Sequence, residues 1–307
     1  MIRLTHGACT HVGQVRRDNE DAYVAVDGLY IVADGMGGHS AGEVASAITV
    51  ATLTDAFTSV NPGLHSPEQV AEAIAQANTA VFIEALDDSA KSGMGTTLTG
   101  LVVTDPERHH VVVANVGDSR TYLWRGGKLQ QITTDHSHVQ TLVDRGAITK
   151  AEARVHYQRN IVLRAVGIDA DVQVDLFPLT VENGDRFVVC SDGLVDEADD
   201  DEIVNEIKLC PAPQDLAERL VQLANANGGR DNITVIVVDI ATTNASPTDD
   251  TAPTRTTAGD PVTTSGDAIA RDTSSIAPAS TRGSMFVAVL GTVALISALL
   301  VGIISAL

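Results

Sequence analysis

From Gly95 to Thr134 the chain repeats one unit four times: a short run of strand character, then a turn too short for a crossover. The runs are Thr97 to Val103, His110 to Val116, Arg120 to Trp124 and Lys128 to Ile132, with connections such as Arg125-Gly126-Gly127. Parallel neighbours need a crossover of a dozen residues or more, so these strands must pair antiparallel. That excludes a doubly wound parallel sheet.

The flanking segments extend the pattern. Residues 1 to 26 read as two strands around the polar turn Gly13 to Asp21. Val44, Ile48 and Ala51 lie at helical spacing within residues 41 to 57 and predict a helix with that face buried. A second helix begins at Ser66-Pro67-Glu68-Gln69, where Ser66 caps, Pro67 takes the first helical position and Gln69 completes a capping box. Its buried stripe is Val70, Ile74, Ala77 and Val81. Residues 136 to 167 turn polar and helical, an insertion long enough to act as a mobile lid. Strands return at Val172 to Leu176 and Arg186 to Ser191, a helix carries Leu216, Leu220 and Leu223, and Asn227-Gly228-Gly229 signals its end. The last strand runs from Asn232 to Ile240. Consecutive helices between antiparallel hairpins imply an α+β fold, two antiparallel sheets packed together with helices outside. His109 and His110 read as a hairpin end, and Trp124 as packing.

Against this scaffold the aspartates recur at one kind of place. Tyr30 to Val32 is an apolar run that delivers Asp34 to the glycine-rich turn Gly35-Met36-Gly37-Gly38-His39, and Val188 to Ser191 delivers Asp192 to Gly193. Gly117-Asp118-Ser119 and Gly229-Arg230-Asp231-Asn232 set two more beside glycine. Glycine lets backbone approach a ligand closely, and hard oxygen donors suit magnesium, manganese or calcium rather than zinc or copper. Arg16, in the first polar turn, offers a planar fork of donors for phosphate, with Asp21 near enough to orient metal-bound water.

Forty acidic residues against 20 basic leave a formal charge of −20. Nothing there would neutralise a phosphate backbone, so no nucleic-acid partner is expected. The run Asp196, Glu197, Asp199, Asp200, Asp201 and Glu202 reads as a solvated face. Cys9, Cys190 and Cys210 show no paired framework, which predicts buried thiols in a reducing compartment, and no signal peptide precedes them.

Three segments follow: a catalytic domain over 1–240, a disordered tether over 241–284 and a membrane helix over 285–307. The tether is Thr, Ser, Ala, Pro and Asp with almost no large apolar side chain. Met285 to Leu307 contain no charge and exceed the roughly 20 residues that cross a hydrocarbon core. The expectation is a single-pass tail anchor in the cell membrane with the catalytic domain in the cytoplasm.

Six pieces taken together, Arg16-Arg17-Asp18-Asn19-Glu20-Asp21, Val32 to His39, Gly95-Thr96-Thr97, Val116 to Arg120, Cys190 to Leu194 and Gly229 to Asn232, resemble the metal-dependent PPM (PP2C-type) serine/threonine phosphatases of bacteria over residues 5 to 240. The resemblance implies a four-layer α-β-β-α sandwich with two Mn2+ or Mg2+ ions at one end and a possible third. It places Asp34 as the bridging ligand, the Gly35 carbonyl on the second metal, Asp192 and Asp231 on the first, and Asp118 with Asp192 at the third. Arg16 matches the phosphate-binding arginine and Asp21 the residue that orients water at the second metal. His39 is a candidate general acid or a structural histidine of the turn. The implied reaction is attack of a metal-activated hydroxide on phosphoserine or phosphothreonine in proteins, opposing serine/threonine kinases at the membrane. The chain departs from the family at His156-Tyr157, where a His-Pro pair is common in the lid. Hydrolysis of small phosphoesters is an alternative for the same site, and a binding protein without turnover would have lost a ligand, whereas Asp34, Asp192 and Asp231 are all present.

Overall fold

The computed structural model describes residues 2–37, 41–58, 65–107 and 109–242. Among the described residues, eleven strands and seven α-helices run in the order β1 (Ile2–His11), β2 (Asp21–Val26), β3 (Leu29–Met36), α1 (Ala41–Thr58), α2 (Pro67–Asp87), β4 (Gly95–Thr96), β5 (Leu98–Asp105), β6 (His110–Val116), β7 (Arg120–Arg125), β8 (Lys128–Gln131), α3 (His138–Asp144), α4 (Lys150–Arg154), β9 (Asp175–Thr180), β10 (Arg186–Cys190), α5 (Asp192–Val195), α6 (Asp200–Leu209), α7 (Pro213–Asn227) and β11 (Ile233–Thr242). They form two sheets, ordered β1-β11-β10-β7-β8 and β2-β3-β5-β6-β9, with β4 added to β3. Every strand pair among the described residues is antiparallel, but the short turns do not make every neighbour a pair: β6 and β7, joined by Gly117-Asp118-Ser119, lie in different sheets, because that turn carries the chain from one sheet to the other.

Alternation along the central strands builds three cores. Tyr30 and Val32 of β3 face Phe187 and Val189 of β10 and Ile236 and Val238 of β11 between the sheets. Leu29 and Ile31 point the other way, under α1 and α2. Val188, Val235 and Val237 point outward beneath α5, α6 and α7. Helix, sheet, sheet and helix are thus the four layers expected.

Local signals held where they were strong. Ser66 caps α2 in a closed box with Gln69, and Val70, Ile74, Ala77 and Val81 are buried. Gly228 ends α7, accepting a positive φ of 151°. Three expectations are corrected. Helix α1 buries Ala41, Ala45, Thr49 and Leu53 rather than Val44, Ile48 and Ala51; Val44 and Ile48 are only partly buried and Ala51 is exposed. Its small residues let the helix approach β3 to within backbone contact, where Gly42 meets Gly35. Strand β9 lies at Asp175–Thr180, three to four residues later than read, because Pro178 sits on an edge strand where the missing N–H costs no ladder bond. The acidic run after Asp192 is not merely a solvated face. Asp199 caps α6, Asp196 meets Arg159 at 3.4 Å, and Glu197 is buried against Arg230 at 2.8 Å. Cys190 is buried, Cys9 and Cys210 partly so, and none forms a disulfide. Among the described residues no helix is long and apolar enough to cross a membrane; residues 241 and 242, expected in the tether, continue β11 against β1, while the rest of the tether, the membrane segment Met285 to Leu307 and His39 lie outside the described residues.

Candidate active site

One end of the sandwich gathers residues that are up to two hundred positions apart in sequence. Asp21 opens β2 and pairs in register with Asp34 near the end of β3. Asp118 occupies the turn between β6 and β7, Asp192 begins α5 where β10 ends, and Asp231 precedes β11. Antiparallel pairing brings these strand ends to the same edge. A groove of about 480 Å³ there is lined by Arg16, Glu20, Asp34, Gly35, Asp118, Asp192 and Asp231, and closed on the lid side by Asn160, Ile161 and Val162.

The backbone of Asp34 and the carboxylate of Asp231 are held by their neighbours. The Asp34 N–H donates to Thr97 Oγ1 at 3.0 Å, and the Asp34 carbonyl accepts from Thr96 Oγ1 and from the Thr97 N–H, both at 2.8 Å. Asp231 accepts from Arg16 Nη2 at 2.7 Å and from the Asn232 N–H at 2.8 Å. Asn232 in turn clamps the loop carrying Arg16: its side chain donates to the carbonyls of Val12 and Asp18 and accepts from the Glu20 N–H. Glycine is required where backbone crowds, since a Cβ on Gly35 would lie 2.2 Å from the Gly42 carbonyl oxygen, and one on Gly193 2.0 Å from that of Asn232.

Electrostatically the groove is frustrated. Burial, then repulsion from Asp21, Asp192, Asp118 and Asp231, raises the Asp34 carboxyl well above the carboxylate range. Burial and then Asp118, Asp196 and Asp231 do the same to Asp192. Asp118 is pushed up to about 7, first by burial and then by Asp135, although Arg120 grips Asp135 through two-pronged bonds of 3.0 and 2.7 Å. Burial raises Asp21 to about 6 despite hydroxyl bonds from Thr234 and Ser191. Asp21, Asp34 and Asp192 keep some accessible surface, yet Oδ1 of Asp21 and Oδ1 of Asp192 are sealed and accept no hydrogen bond.

Unpartnered buried carboxylate oxygens beside like charges call for cations, and an all-oxygen set fits Mn2+ or Mg2+. Among the described residues no three His, Cys, Asp or Glu side chains already close as a cage on one point. The carboxylates line a groove instead, which suits ions that keep part of their water. Asp34, Asp192, Asp231, Asp118, Asp21 and the Gly35 backbone are therefore brought together as the sequence suggested, with Arg16 at their rim. Sequence reasoning missed the groove residue Glu20, the loop clamp Asn232 and the lid wall at Asn160 to Val162. Only Asn232 carried a signal, its place directly after Asp231.

The lid is tied down rather than free-standing. Ser137 bridges Val162, Thr96 bridges Val166, and Arg159 pairs with Asp196. Beneath it a second hollow of about 320 Å³ shares Asp118 and Asp192 with the groove.

An acidic, all-oxygen groove at one end of an α-β-β-α sandwich, with a guanidinium at its rim, defines the metal-dependent phosphatase class of fold. Protein phosphatase 2C is the family that matches residues 7–230, and the chain belongs to it. The serine/threonine protein phosphatase PstP of Mycobacterium tuberculosis is 39% identical over 237 residues, 77% of this chain and 45% of that protein. The chain thus spans less than half the length of that relative. The serine/threonine phosphatase stp of Listeria welshimeri is 37% identical over 75% of this chain and 93% of its own length. Among solved structures, the M. tuberculosis PstP/Ppp phosphatase superposes with a TM-score of 0.74 at 38% identity, covering 79% of this chain and all of that one. The PstP catalytic domain described in complex with two manganese ions gives 0.73 at 37% identity, again over 79% of this chain and all of that one.

Proposed function

We propose that this protein is a metal-dependent phosphoprotein phosphatase that hydrolyses phosphoserine and phosphothreonine. One observation carries the proposal: five aspartates from separate strand ends converge beside Arg16, and two of their buried oxygens have no partner. The similarity to a manganese-containing phosphatase domain supports it.

Asp34, Asp192 and Asp231, with the Gly35 carbonyl and Asp21, would hold two ions, and Asp118 with Asp192 a third. Mn2+ or Mg2+, when bound, lowers the pKa of water so that a nucleophile exists near neutral pH for in-line attack on phosphorus. The chain's own groups do the rest. Thr96 and Thr97 fix the Asp34 backbone, so the strand end that presents the central carboxylate is held in place. Arg16 is half exposed and reaches Asp231 through only one of its terminal nitrogens, which leaves donors for phosphoryl oxygens. Gly35 lets the turn that carries Asp34 pack directly on the backbone of α1, since a Cβ there would lie 2.2 Å from the Gly42 carbonyl oxygen. Protonation of the departing serine or threonine oxygen falls to His39 or water.

Turnover of a phosphothreonine peptide with Mn2+, its loss in EDTA, and weaker turnover of an aryl phosphate are the expected results. Full turnover in metal-stripped buffer would overturn the proposal. We further propose that Met285 to Leu307 anchor the enzyme in the membrane, with the residues between Thr242 and Met285 as a flexible tether of roughly 35 Å reach. There the cytoplasmic domain would oppose serine/threonine kinases. Recovery of the full chain in the soluble fraction, or digestion of its catalytic domain by protease added to spheroplasts, would refute the anchor.

A further inference from the structure

A closed circuit of hydrogen bonds surrounds one oxygen of Asp21. Thr234 Oγ1 donates to Asp21 Oδ2 at 2.7 Å, and Ser191 Oγ donates to the same oxygen at 2.9 Å. A hydroxyl has a single hydrogen, so both are committed to the carboxylate. Thr10 Oγ1, 2.7 Å from Thr234 Oγ1, must then be the donor in that contact. It accepts from Asn19 Nδ2 at 2.9 Å, and Asn19 Oδ1 accepts from the Asp21 N–H at 3.2 Å. The ring therefore runs from the Asp21 backbone through Asn19, Thr10 and Thr234 to the Asp21 side chain. Ser191 Oγ is itself fixed by the Thr234 N–H at 3.0 Å.

Every hydrogen in this ring has one assigned acceptor, so the carboxylate cannot rotate without breaking two bonds at once. Thr234 and Ser191 are fully buried. Satisfying a buried hydroxyl does not need such a ring: Thr49, also fully buried, donates to a backbone carbonyl one helical turn away. The ring instead joins β1, the loop before β2, the end of β10 and β11 around a single oxygen. The other oxygen, Oδ1, is buried and without a partner, while the Asp21 carboxyl interacts with that of Asp34.

We infer that Thr234 and Ser191 are positioning residues: their hydroxyls occupy Asp21 Oδ2 so that Oδ1 alone is offered to a divalent cation shared with Asp34. This inference rests on the phosphatase proposal. Partners that orient the groups facing a metal are worth about 10- to 100-fold in affinity or rate.

The test uses the full chain, stripped of metal, with Mn2+ titrated by calorimetry and turnover of a phosphothreonine peptide followed at each Mn2+ concentration. Thr234→Val keeps the shape and removes the hydroxyl. It should weaken one class of Mn2+ sites about tenfold or more, lower kcat at limiting Mn2+, and leave the peptide KM unchanged, with excess Mn2+ recovering part of kcat. Thr234→Ser should return Mn2+ affinity towards wild type. Unaltered Mn2+ affinity in Thr234→Val, or equal weakening in Thr234→Ser, overturns the inference. Unfolding in EDTA reports whether Thr234→Val folds; if it does not, Ser191→Ala must show the same loss of Mn2+ affinity, and wild-type affinity there is equally fatal. A wild-type protein that neither binds Mn2+ nor turns over peptide would sink the phosphatase proposal itself, whereas an active wild type with Mn2+-tight Thr234→Val would remove only the positioning role.

Discussion

Replacing Asp192 by Asn should raise the stability of the metal-free protein while abolishing activity. The carboxylate is buried among Asp118, Asp196 and Asp231 and touches that of Asp34, and its Oδ1 receives no hydrogen bond. Two unit charges about 4 Å apart repel by about 4 kcal/mol at an effective dielectric near 20. Protonation within the cluster relieves part of that, so removing one charge should stabilise the stripped protein by roughly 1–3 kcal/mol. An Asn amide can also donate to Asp34 at any pH, which Asp192 can do only when protonated. With Mn2+ the order reverses. Free ion about 100-fold above its Kd stabilises the folded wild type by about 2.7 kcal/mol, and a variant lacking the ligand forfeits most of it. Urea unfolding of both proteins in EDTA and in MnCl2, beside peptide turnover, reads the crossing directly. If Asp192→Asn were less stable than wild type by the same margin in both buffers, Asp192 would be a structural carboxylate and the metal assignment would fall.

Arg16→Ala should raise the peptide KM about tenfold or more. Because the exposed Arg16–Asp231 pair, at 2.7 Å, is worth at most about 1 kcal/mol, Mn2+ affinity should stay level or tighten up to roughly fivefold; equal weakening of both would make Arg16 structural. Gly35→Ala drives a methyl into the backbone of Gly42 and Glu20, at 2.2 and 2.5 Å, and should cost about 1–3 kcal/mol in urea unfolding; a wild-type curve would contradict the close approach of α1 to β3. His136 Nδ1 accepts the Gly117 N–H at 3.0 Å, so its proton sits on Nε2 facing Asp175 at 3.1 Å, with Arg164 and Asp135 also near. Burial lowers its pKa, so its contribution to stability is intact above about pH 6.5 and is lost as pH falls through the depressed folded value. His136→Asn should therefore flatten the loss of stability as pH falls below about 6.5, and an unchanged slope would exclude His136 as its source.

What was legible in the chain had local causes. The capping box at Ser66, the glycine stop at Gly228 and the strand alternation of β3, β10 and β11 depend on residues a few positions apart, and so does each aspartate's place at a strand end. Antiparallel pairing followed from short turns at β5–β6 and β7–β8, whereas the equally short turn between β6 and β7 passes from one sheet to the other. Convergence of Asp34, Asp192 and Asp231 was suggested by residue type and by resemblance, not by distance along the chain. The face of α1 was misread because its local pattern favours Val44 and Ile48, whereas close packing of helix on sheet rewards Ala41, Ala45 and the glycine contact. The burial of Glu197 was equally invisible, since its partner Arg230 lies 33 positions away.

Sequence alone determined most of the strands, the α2 cap, the α7 stop and which side chains can bind a hard cation, because each depends on chemistry within a few residues. Tertiary structure alone decided which hydroxyls meet Asp21, across separations of 170 and 213 residues, and which oxygen is left open. No local rule reaches that far: hydrogen-bond direction is set within a few ångströms in space, and only the packing of two sheets places those atoms that close.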